Sequence, residues 1–207
     1  MSITQDDIVA VGGDLEPTTL LAAYRRGIFP WPVDDLPLLW FCPRERAVLR
    51  FADLHVSRSL ARTRRRTGLR LTVDTAFDAV MEACATTPRP GQDGTWIMPE
   101  ILAAYGRLHR LGIAHSVEAW HDGVLVGGIY GVEVDGAFAA ESMFHRERDA
   151  SKLALVHLVD QLRASGLDWM DVQVMNPHLA RLGARPLTRD TFLAELARTR
   201  RRGLKLF

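Results

Sequence analysis

The chain has 207 residues, 47% of them apolar and 25% charged, values ordinary for a globular protein with one core or one core plus a small lobe. A net charge of +1 excludes a strongly basic or acidic protein, and two cysteines outside any CxxC pattern argue against a disulfide framework or zinc site. With no signal-peptide pattern and no apolar run of about 18 residues, we expect a cytoplasmic protein without membrane contact.

The first 45 residues are predicted to form a small N-terminal lobe of irregular structure. A short helix over 17–27 presents Leu20 and Tyr24 on one side and ends at Gly27. The prolines that follow exclude a long helix or a central strand. We expect the aromatic residues to pack this lobe, namely Phe29, Trp31, Trp40 and Phe41.

After the lobe, residues 46–207 are predicted to form one domain in which helices and strands alternate irregularly. Helical spacing predicts helices over 56–67, 75–86, 99–111, 151–165 and 188–201. Alternation predicts strands over 69–73, 114–120 and 167–175. Two β-rich runs within 123–143 flank Asp135-Gly136, a strong hairpin turn. The order predicts an α+β (mixed α/β) fold with helices on both faces of a sheet.

Helix caps and strand glycines give finer predictions. We expect Asp74 or Thr75 to cap the helix over 75–86, and Asp149 or Ser151 to cap the helix over 151–165. The glycines of 126–131 lie in a strand pattern with no helix after them, which excludes a P-loop or dinucleotide site. Glycines in a strand predict a bulge or a close backbone approach.

Asp171 and Gln173 are the first candidate functional residues. Side chains alternate along a strand, so both share one face with Trp169, while Met170 and Val172 lie on the apolar face. A carboxylate and an amide are costly to bury in the middle of a sheet. The pattern alone therefore leaves two interpretations open: a solvated edge strand or a functional pair.

Other polar groups are equally ambiguous from their pattern. Glu141, at the end of the second hairpin strand, is either a solvated residue or a site residue. The seven histidines include no HxxxH or HxH spacing, so we expect no metal. Four arginines near one side of the helix over 56–67 form either a solvated face or a phosphate-binding face: Arg58, Arg62, Arg65 and Arg66. Trp31 and Trp96 either pack in the core or stack on a base of single-stranded RNA.

Taken together, several segments resemble the bacterial leucyl/phenylalanyl-tRNA–protein transferases over about residues 8–200. The matching segments are GGDLEPTTLLAAYRRGIFPW (12–31), LWFCPRERAVL (39–49), HVSRSL (55–60), GTWI (94–97), AYGRLHRLGIAHSVEAW (104–120), GVLVGGIYGV (123–132), ESMFHRERDASKLAL (141–155) and DVQVMNPHLARLGA (171–184). The chain departs from the family pattern at Phe41, where Trp is common, at Ala140, where Gly is expected, and at His145, which replaces a usual Ser. None of these departures removes a proposed catalytic group.

The resemblance implies a fold and a reaction. It implies a small N-terminal lobe joined to a GNAT acyltransferase-like domain whose donor is an aminoacyl-tRNA rather than coenzyme A. In agreement, residues 146–152 before the predicted helix contain no glycines of an acetyl-CoA pyrophosphate loop. The implied activity moves Leu or Phe, and less readily Met, to the N-terminal amine of proteins that begin with Lys or Arg. The products would enter N-degron degradation. We expect no cofactor, because the ester donor is already activated. We also expect a monomer.

The resemblance also implies roles for individual residues. Asp171 would polarise Gln173, which would orient the attacking amine, and the amine's proton would pass to Asp171, to water or to the substrate itself. Glu141 would bind the cationic acceptor. The Leu or Phe side chain would enter an apolar pocket with five walls: Ile129, Phe138, Met143, Leu155 and Leu158. In a regular strand Phe138 and Met143 face opposite ways, so both can line one pocket only if a bulge separates them. The 3′-terminal adenosine would lie on Trp31 and Trp96, and the tRNA phosphates would contact the four arginines.

Two other functions stay open from the sequence. One is a GNAT-type N-acyltransferase that uses a different acyl donor, and the missing glycine loop argues against acetyl-CoA as that donor. The other is a non-catalytic RNA-binding module, which only the arginines and the exposed aromatic residues support.

Overall fold

The structure, a computed structural model, describes residues 4–33, 36–88 and 95–207. Gly94, the first residue of the segment over 94–97, lies outside the described residues. The helices are α1 (Pro17–Tyr24), α2 (Arg58–Arg66), α3 (Phe77–Thr86), α4 (Pro99–Arg110), α5 (Ala150–Ala164), α6 (Pro177–Arg181) and α7 (Arg189–Arg200). The strands are β1 (Ile8–Val11), β2 (Phe29–Pro30), β3 (Leu39–Phe41), β4 (Glu45–Arg50), β5 (Arg70–Val73), β6 (Ala114–His121), β7 (Val124–Val134), β8 (Ala137–His145), β9 (Trp169–Gln173) and β10 (Arg185–Thr188).

The strands form two sheets. A seven-stranded sheet has the order β10-β4-β9-β8-β7-β6-β5, and its pairs are antiparallel except for β8 and β9. A smaller sheet has the order β1-β3-β2, so the predicted irregular lobe is built on three short strands. The predicted α+β fold with a small N-terminal lobe is thus confirmed.

The parallel pair β8 and β9 decides where the sheet opens. Helix α5 connects the two strands, because parallel neighbours need a crossover connection. Only one Cα pair, Ala139 with Asp171, keeps them in register, so the strands separate towards the end of β9. A parallel pair bridged by a helix in an otherwise antiparallel sheet agrees with the acyltransferase-like domain that the resemblance implies.

Apolar side chains cover both faces of the large sheet. On one face α3 and α4 pack with the N-terminal lobe, joining Phe77 and Tyr105 to Leu20, Phe29 and Trp40 in one cluster. On the other face α5 and α7 pack over the sheet through residues such as Leu158, Phe192 and Leu196. The lobe therefore shares a core with the large domain and can contribute side chains to a site between them.

The hairpin and most helices follow the sequence prediction. Asp135 and Gly136 form the turn between β7 and β8, both with positive φ (50° and 85°), which is the geometry that favours Asp-Gly. Six of the named elements were not predicted: the lobe strands β1, β2 and β3, and β4, α6 and β10 of the large domain.

The cap predicted for α3 was wrong, whereas α5 has its N-cap at Asp149, one of the two predicted positions, without a side-chain hydrogen bond. Ala76 precedes α3 and makes no side-chain cap, because the Asp74 carboxylate instead binds His115 and the backbone N–H of Ser116. Asp149 precedes α5 in a left-handed conformation, also without a side-chain cap, and its carboxylate binds Lys152. The imidazole of His115 and the ammonium of Lys152 thus compete with the helix N-termini for the carboxylates of Asp74 and Asp149.

Within the described ranges, no helix is both long enough and apolar enough to cross a membrane.

Candidate active site

A cleft of about 830 Å³ opens where β8 and β9 separate. Its walls come from β8, the start of α5, the end of β9, the turn into α6, and the two tryptophans Trp31 and Trp96. A second cavity of about 900 Å³ lies between the lobe and α4, and the described residues that line it include none of the predicted site residues. The candidate site is therefore the cleft in the split sheet.

Glu141 lies in a bulge of β8. Tyr130 pairs with Ser142 and Gly131 pairs with Ala140, so Glu141 is the extra residue between two register positions. Gly131 is required opposite it, because a Cβ there would collide with the carbonyl of Ala139 and the ring of Phe138. The bulge predicted from the strand glycines is confirmed, and it directs Glu141 into the cleft.

A second irregularity shapes the end of β9. Ala47 of β4 pairs with Gln173 and Val48 pairs with Asp171, so Val172 is an extra residue in this strand. Gln173 has a φ of 62°, a left-handed conformation that costs a non-glycine residue of order 1 kcal/mol or more. The Asp171 carboxylate supports this turn by accepting the Gln173 backbone N–H at 2.8 Å.

Asp171 is fixed by a buried arginine. Arg46 of β4 donates from Nε to Oδ1 at 2.8 Å and from Nη2 to Oδ2 at 2.6 Å. The guanidinium carbon lies 4.6 Å from the ring centres of both Phe29 and Phe192. Burial opposes the charge of Arg46, but the facing Asp171 raises the pKa of Arg46 above its ordinary value. Both oxygens of the Asp171 carboxylate therefore accept a hydrogen bond from Arg46.

The strand that carries Asp171 and Gln173 is not a solvated edge. β9 lies between β4 and β8, and each of the two side chains is 5% exposed. The solvated-edge interpretation is therefore wrong. Asp171 contacts the backbone of Gln173 rather than its amide, so direct polarisation of that amide by Asp171 has no hydrogen bond in the structure.

Gln173 and Glu141 belong to one hydrogen-bond network. The Glu141 Oε1 atom accepts Gln173 Nε2 at 2.7 Å and the Tyr24 hydroxyl at 2.6 Å, and the Tyr24 and Tyr105 hydroxyls lie 2.5 Å apart. Burial raises the pKa of Glu141 to about 7, although the hydrogen bonds from Tyr24 and Gln173 favour the charged form. Burial and the charge of Glu141 raise the pKa of both tyrosines well above its ordinary value, so they stay protonated.

The apolar wall of the cleft contains three of the five predicted pocket residues. Ile129, Met143 and Leu155 line the cleft. Phe138 and Leu158 are buried in the same apolar cluster but do not line it. The bulge at Glu141 lies between Phe138 and Met143, as the prediction required, yet the structure places Phe138 behind the wall.

The two tryptophans meet at the opposite side of the cleft. Trp31 and Trp96 stack directly on each other, with ring centres 5.6 Å apart and an interplanar angle of 27°. Trp96 is 8% exposed, and Trp31 is partly buried. Both line the cleft.

Basic groups surround the mouth of the cleft. Lys152 at the start of α5 and His178 and Arg181 of α6 line it, together with His145 at the end of β8. Partial burial and the nearby charges of Arg181 and Lys152 lower the pKa of His178. Asp149, which binds Lys152 at 2.8 Å, is the acidic group of this rim.

The arginine-rich helix α2 begins at the cap Ser57, whose side chain accepts the Leu60 N–H at 3.2 Å. Its buried residue Leu60 packs on Leu153 and Val156 of α5, the helix that also borders the cleft. Arg64 pairs with Asp160. The four predicted phosphate contacts are exposed and make no ion pair with another described residue: Arg58, Arg62, Arg65 and Arg66.

Sequence reasoning missed three members of the network: Arg46, Tyr24 and Tyr105. A charged residue directly before the apolar run Ala47-Val48-Leu49 was the available signal for Arg46, since a buried carboxylate needs a cation. Tyr24 and Tyr105 stood at apolar positions of predicted helices, and nothing in their spacing indicates that their hydroxyls meet.

Family models and relatives agree on what the chain resembles. The model described as leucyl/phenylalanyl-tRNA protein transferase matches residues 48–197, and the model of that family's N-terminal domain matches residues 13–44. A protein named leucyl/phenylalanyl-tRNA–protein transferase from Anaeromyxobacter sp. (strain Fw109-5) is 55% identical over 93% of this chain and 82% of its own length. A protein of the same name from Chromobacterium violaceum is 54% identical over 91% of this chain and 81% of its own length.

Solved structures give only distant similarities. A conserved protein of unknown function from Staphylococcus epidermidis is 10% identical, with a TM-score of 0.45 over 87% of this chain and 68% of that one. The C-terminal domain of a putative lysylphosphatidylglycerol synthetase from Agrobacterium fabrum gives a TM-score of 0.42 at 14% identity, over 88% and 57%. The sequence relatives, matched over most of both chains, confirm the predicted family and enzyme class: the chain belongs to the leucyl/phenylalanyl-tRNA–protein transferases.

Proposed function

We propose that this enzyme transfers Leu or Phe, and less readily Met, from aminoacyl-tRNA to the N-terminal α-amine of proteins that begin with Lys or Arg. The modified proteins then enter N-degron degradation in the cytoplasm. The observation that carries the proposal is the cleft itself, where an apolar wall faces a buried carboxylate–amide network within a chain of this family.

The donor side of the proposal uses the apolar wall and the basic surfaces. Ile129, Met143 and Leu155 offer an apolar surface for a Leu or Phe side chain, with Phe138 and Leu158 supporting it from behind. The terminal adenosine stacks on the pair Trp31 and Trp96. Phosphates next to it meet the basic rim, and phosphates farther along the tRNA meet the exposed arginines of α2, a contact that needs no base sequence.

The acceptor side uses the polar wall. Glu141 provides negative charge for a cationic N-terminal residue, and a carboxylate pairs well with Lys or Arg. Gln173 donates a hydrogen bond from Nε2 to Glu141, and no described residue donates to the Oε1 atom of Gln173. That oxygen is therefore available to accept a hydrogen bond from the attacking amine.

Asp171 acts in this proposal by holding Gln173. The bonds from Arg46 and to the Gln173 backbone fix the end of β9 in a strained turn. Holding two reactants in a productive geometry supplies several kcal/mol of a barrier. The ester of the donor is already activated, so the reaction needs no cofactor.

One assay tests the proposal against its alternatives. The enzyme is incubated with labelled leucyl-tRNA and peptides that begin with Lys, Arg or, as a control, Ala. Transfer to the Lys and Arg peptides, and not to the Ala peptide, supports the proposal. Transfer only from an acyl-CoA indicates an N-acyltransferase with another donor, and tRNA binding without any transfer indicates an RNA-binding module; either result overturns it.

A further inference from the structure

We propose that Glu141, through its Oε2 atom, accepts the proton that the attacking amine loses during aminoacyl transfer. The inference rests on the proposed function and adds a catalytic role to the acceptor-binding role given to Glu141 there. It follows from how the three polar groups of the cleft are already bonded.

The two oxygens of Glu141 have different environments. Oε1 accepts hydrogen bonds from Tyr24 and Gln173, which fix the orientation of the carboxylate. Oε2 is shielded from solvent and has no hydrogen-bond partner among the residues that the structure describes. Buried acceptors are rarely left without a donor, and such an exception in a cleft indicates a missing partner. An amine N–H of the acceptor is a partner of the right chemistry.

Asp171 is the other carboxylate of the site, and its geometry excludes it from this role. Its Oδ1 accepts from Arg46 Nε and from the Gln173 backbone, and its Oδ2 accepts from Arg46 Nη2. A proton placed on either oxygen would break the bidentate pair and leave the Arg46 charge buried without a partner, which is strongly unfavourable. Asp171 is therefore a positioning residue.

The charges around Glu141 suit a group that gains and loses a proton near neutral pH. The titratable groups that face it are Tyr24 of α1, Tyr105 of α4, Asp171 of β9 and Arg46 of β4. Burial, the largest cause, and the charge of Asp171 together raise the pKa of Glu141 to about 7, against the lowering effects of the hydrogen bonds from Tyr24 and Gln173 and of the Arg46 charge. The protonated α-amine has a pKa of about 8, so near neutral pH part of the acceptor is the neutral amine and part of Glu141 is ionised, the two forms that the step requires.

The proposed step moves one proton to Glu141 and back, and it conserves atoms and charge. The neutral amine nitrogen attacks the ester carbonyl carbon, and the N–C bond forms while one amine proton moves to Glu141 Oε2. As the bond between that carbon and the ribose oxygen breaks, protonated Glu141 returns the proton to the leaving oxygen. The products are an amide and a ribose hydroxyl, and Glu141 is ionised again.

The test compares Glu141→Gln and Glu141→Asp with the control variant Glu147→Gln. Glu147 lies on the surface, where its carboxylate pairs with His121. Single-turnover transfer of leucine to a Lys-starting peptide is measured across pH, with both substrates varied. We expect Glu141→Gln to lower the rate at saturation by ~10²–10⁴-fold, the usual contribution of a general base. The inflection near pH 7 in the wild-type profile should vanish, and Glu141→Asp should retain it with part of the rate.

Two results overturn the inference. If Glu141→Gln reaches the wild-type rate at saturating peptide and only its KM increases, Glu141 binds the acceptor and takes no proton. If the wild-type rate shows no ionisation near neutral pH, Glu141 does not act as the base, whether or not the variants fold. Both results leave the proposed function standing, whereas a wild-type enzyme that transfers no leucine refutes the proposed function itself.

Discussion

The guanidinium of Arg46 binds both carboxylate oxygens of Asp171 across two neighbouring strands, at 2.8 and 2.6 Å, in a pair that is almost closed to solvent. Arg46 is 1% exposed and lies between two phenylalanine rings. The residues are 125 positions apart in the chain, so the pair joins the first strand of the large domain to the strand that carries Gln173. The pair therefore links the stability of the sheet to the geometry of the site.

Removing one member of this pair should destabilise the protein. Asp171→Ala leaves a buried guanidinium without its partner, and we expect the free energy of unfolding to fall by about 3–5 kcal/mol. Urea denaturation followed by circular dichroism measures the change.

The matched control replaces both charges, Arg46→Met together with Asp171→Leu. Replacing a whole buried pair with apolar side chains is often nearly neutral, so this variant should recover most of the lost stability. If the double variant is as unstable as the two single losses added, the pair contributes more than charge compensation. Loss of transfer in Asp171→Ala alone is thus no proof of a catalytic role.

Local patterns predicted several residues of this site but not the contacts between them. Strand alternation brought Asp171 and Gln173 together, and the glycines of β7 indicated the bulge that holds Glu141. Arg46 could not be predicted as the partner of Asp171, because the pairing of β4 with β9 depends on the order of strands in the sheet rather than on neighbours in the chain.

The contact between the hydroxyls of Tyr24 and Tyr105 could not be predicted from local patterns either. Tyr24 and Tyr105 occupy apolar helix positions, and burial of their rings accounts fully for that pattern. Their hydroxyls meet only because α1 of the lobe packs near α4 of the large domain. Helical periodicity describes which face is buried, but it does not identify which polar atom on that face finds a partner.

The raised pKa of Glu141 predicts a pH-dependent cost in stability. The unfolded chain loses this proton near the ordinary pKa of 4.5, whereas burial keeps it on the folded protein up to about 7. Between these values the unfolded state binds fewer protons, so stability falls as pH rises, and the full cost persists above pH 7.

Glu141→Gln removes that cost. Relative to wild type, its free energy of unfolding should rise with pH from about 5 to 7, by about 1–3 kcal/mol, and then stay level. Urea denaturation at several pH values measures the difference. A difference that does not change with pH would mean that Glu141 ionises in the folded protein as freely as in the unfolded chain.

The tryptophan pair should dominate binding of the donor's terminal base. A base stacked between two rings separates them by roughly 7 Å, two layers of about 3.4 Å. Trp31 and Trp96 are closer than this, at 5.6 Å, so the base either opens the pair or stacks on one outer face.

Trp31→Ala should raise the KM for leucyl-tRNA by the equivalent of ~1–3 kcal/mol, the usual value of one base–aromatic stack, and leave the rate at saturation nearly unchanged. Trp120→Ala is the control, because Trp120 stacks with Arg70 on the far strands of the sheet. Equal KM values for the two variants would exclude Trp31 from the donor site.

The exposed arginines of α2 should contribute through charge alone. Each phosphate contact releases counterions, so the logarithm of tRNA affinity falls with the logarithm of salt by ~0.7–0.9 per contact. A variant with glutamine at all four positions should show a smaller salt slope, with an unchanged rate at saturating tRNA: Arg58→Gln, Arg62→Gln, Arg65→Gln and Arg66→Gln. Arg64→Gln is the control within the same helix, because Asp160 already compensates the charge of Arg64. If the fourfold variant keeps the wild-type slope, the arginines are a solvated face and the tRNA is bound by the cleft and its basic rim, since a charge that releases no counterion makes no phosphate contact.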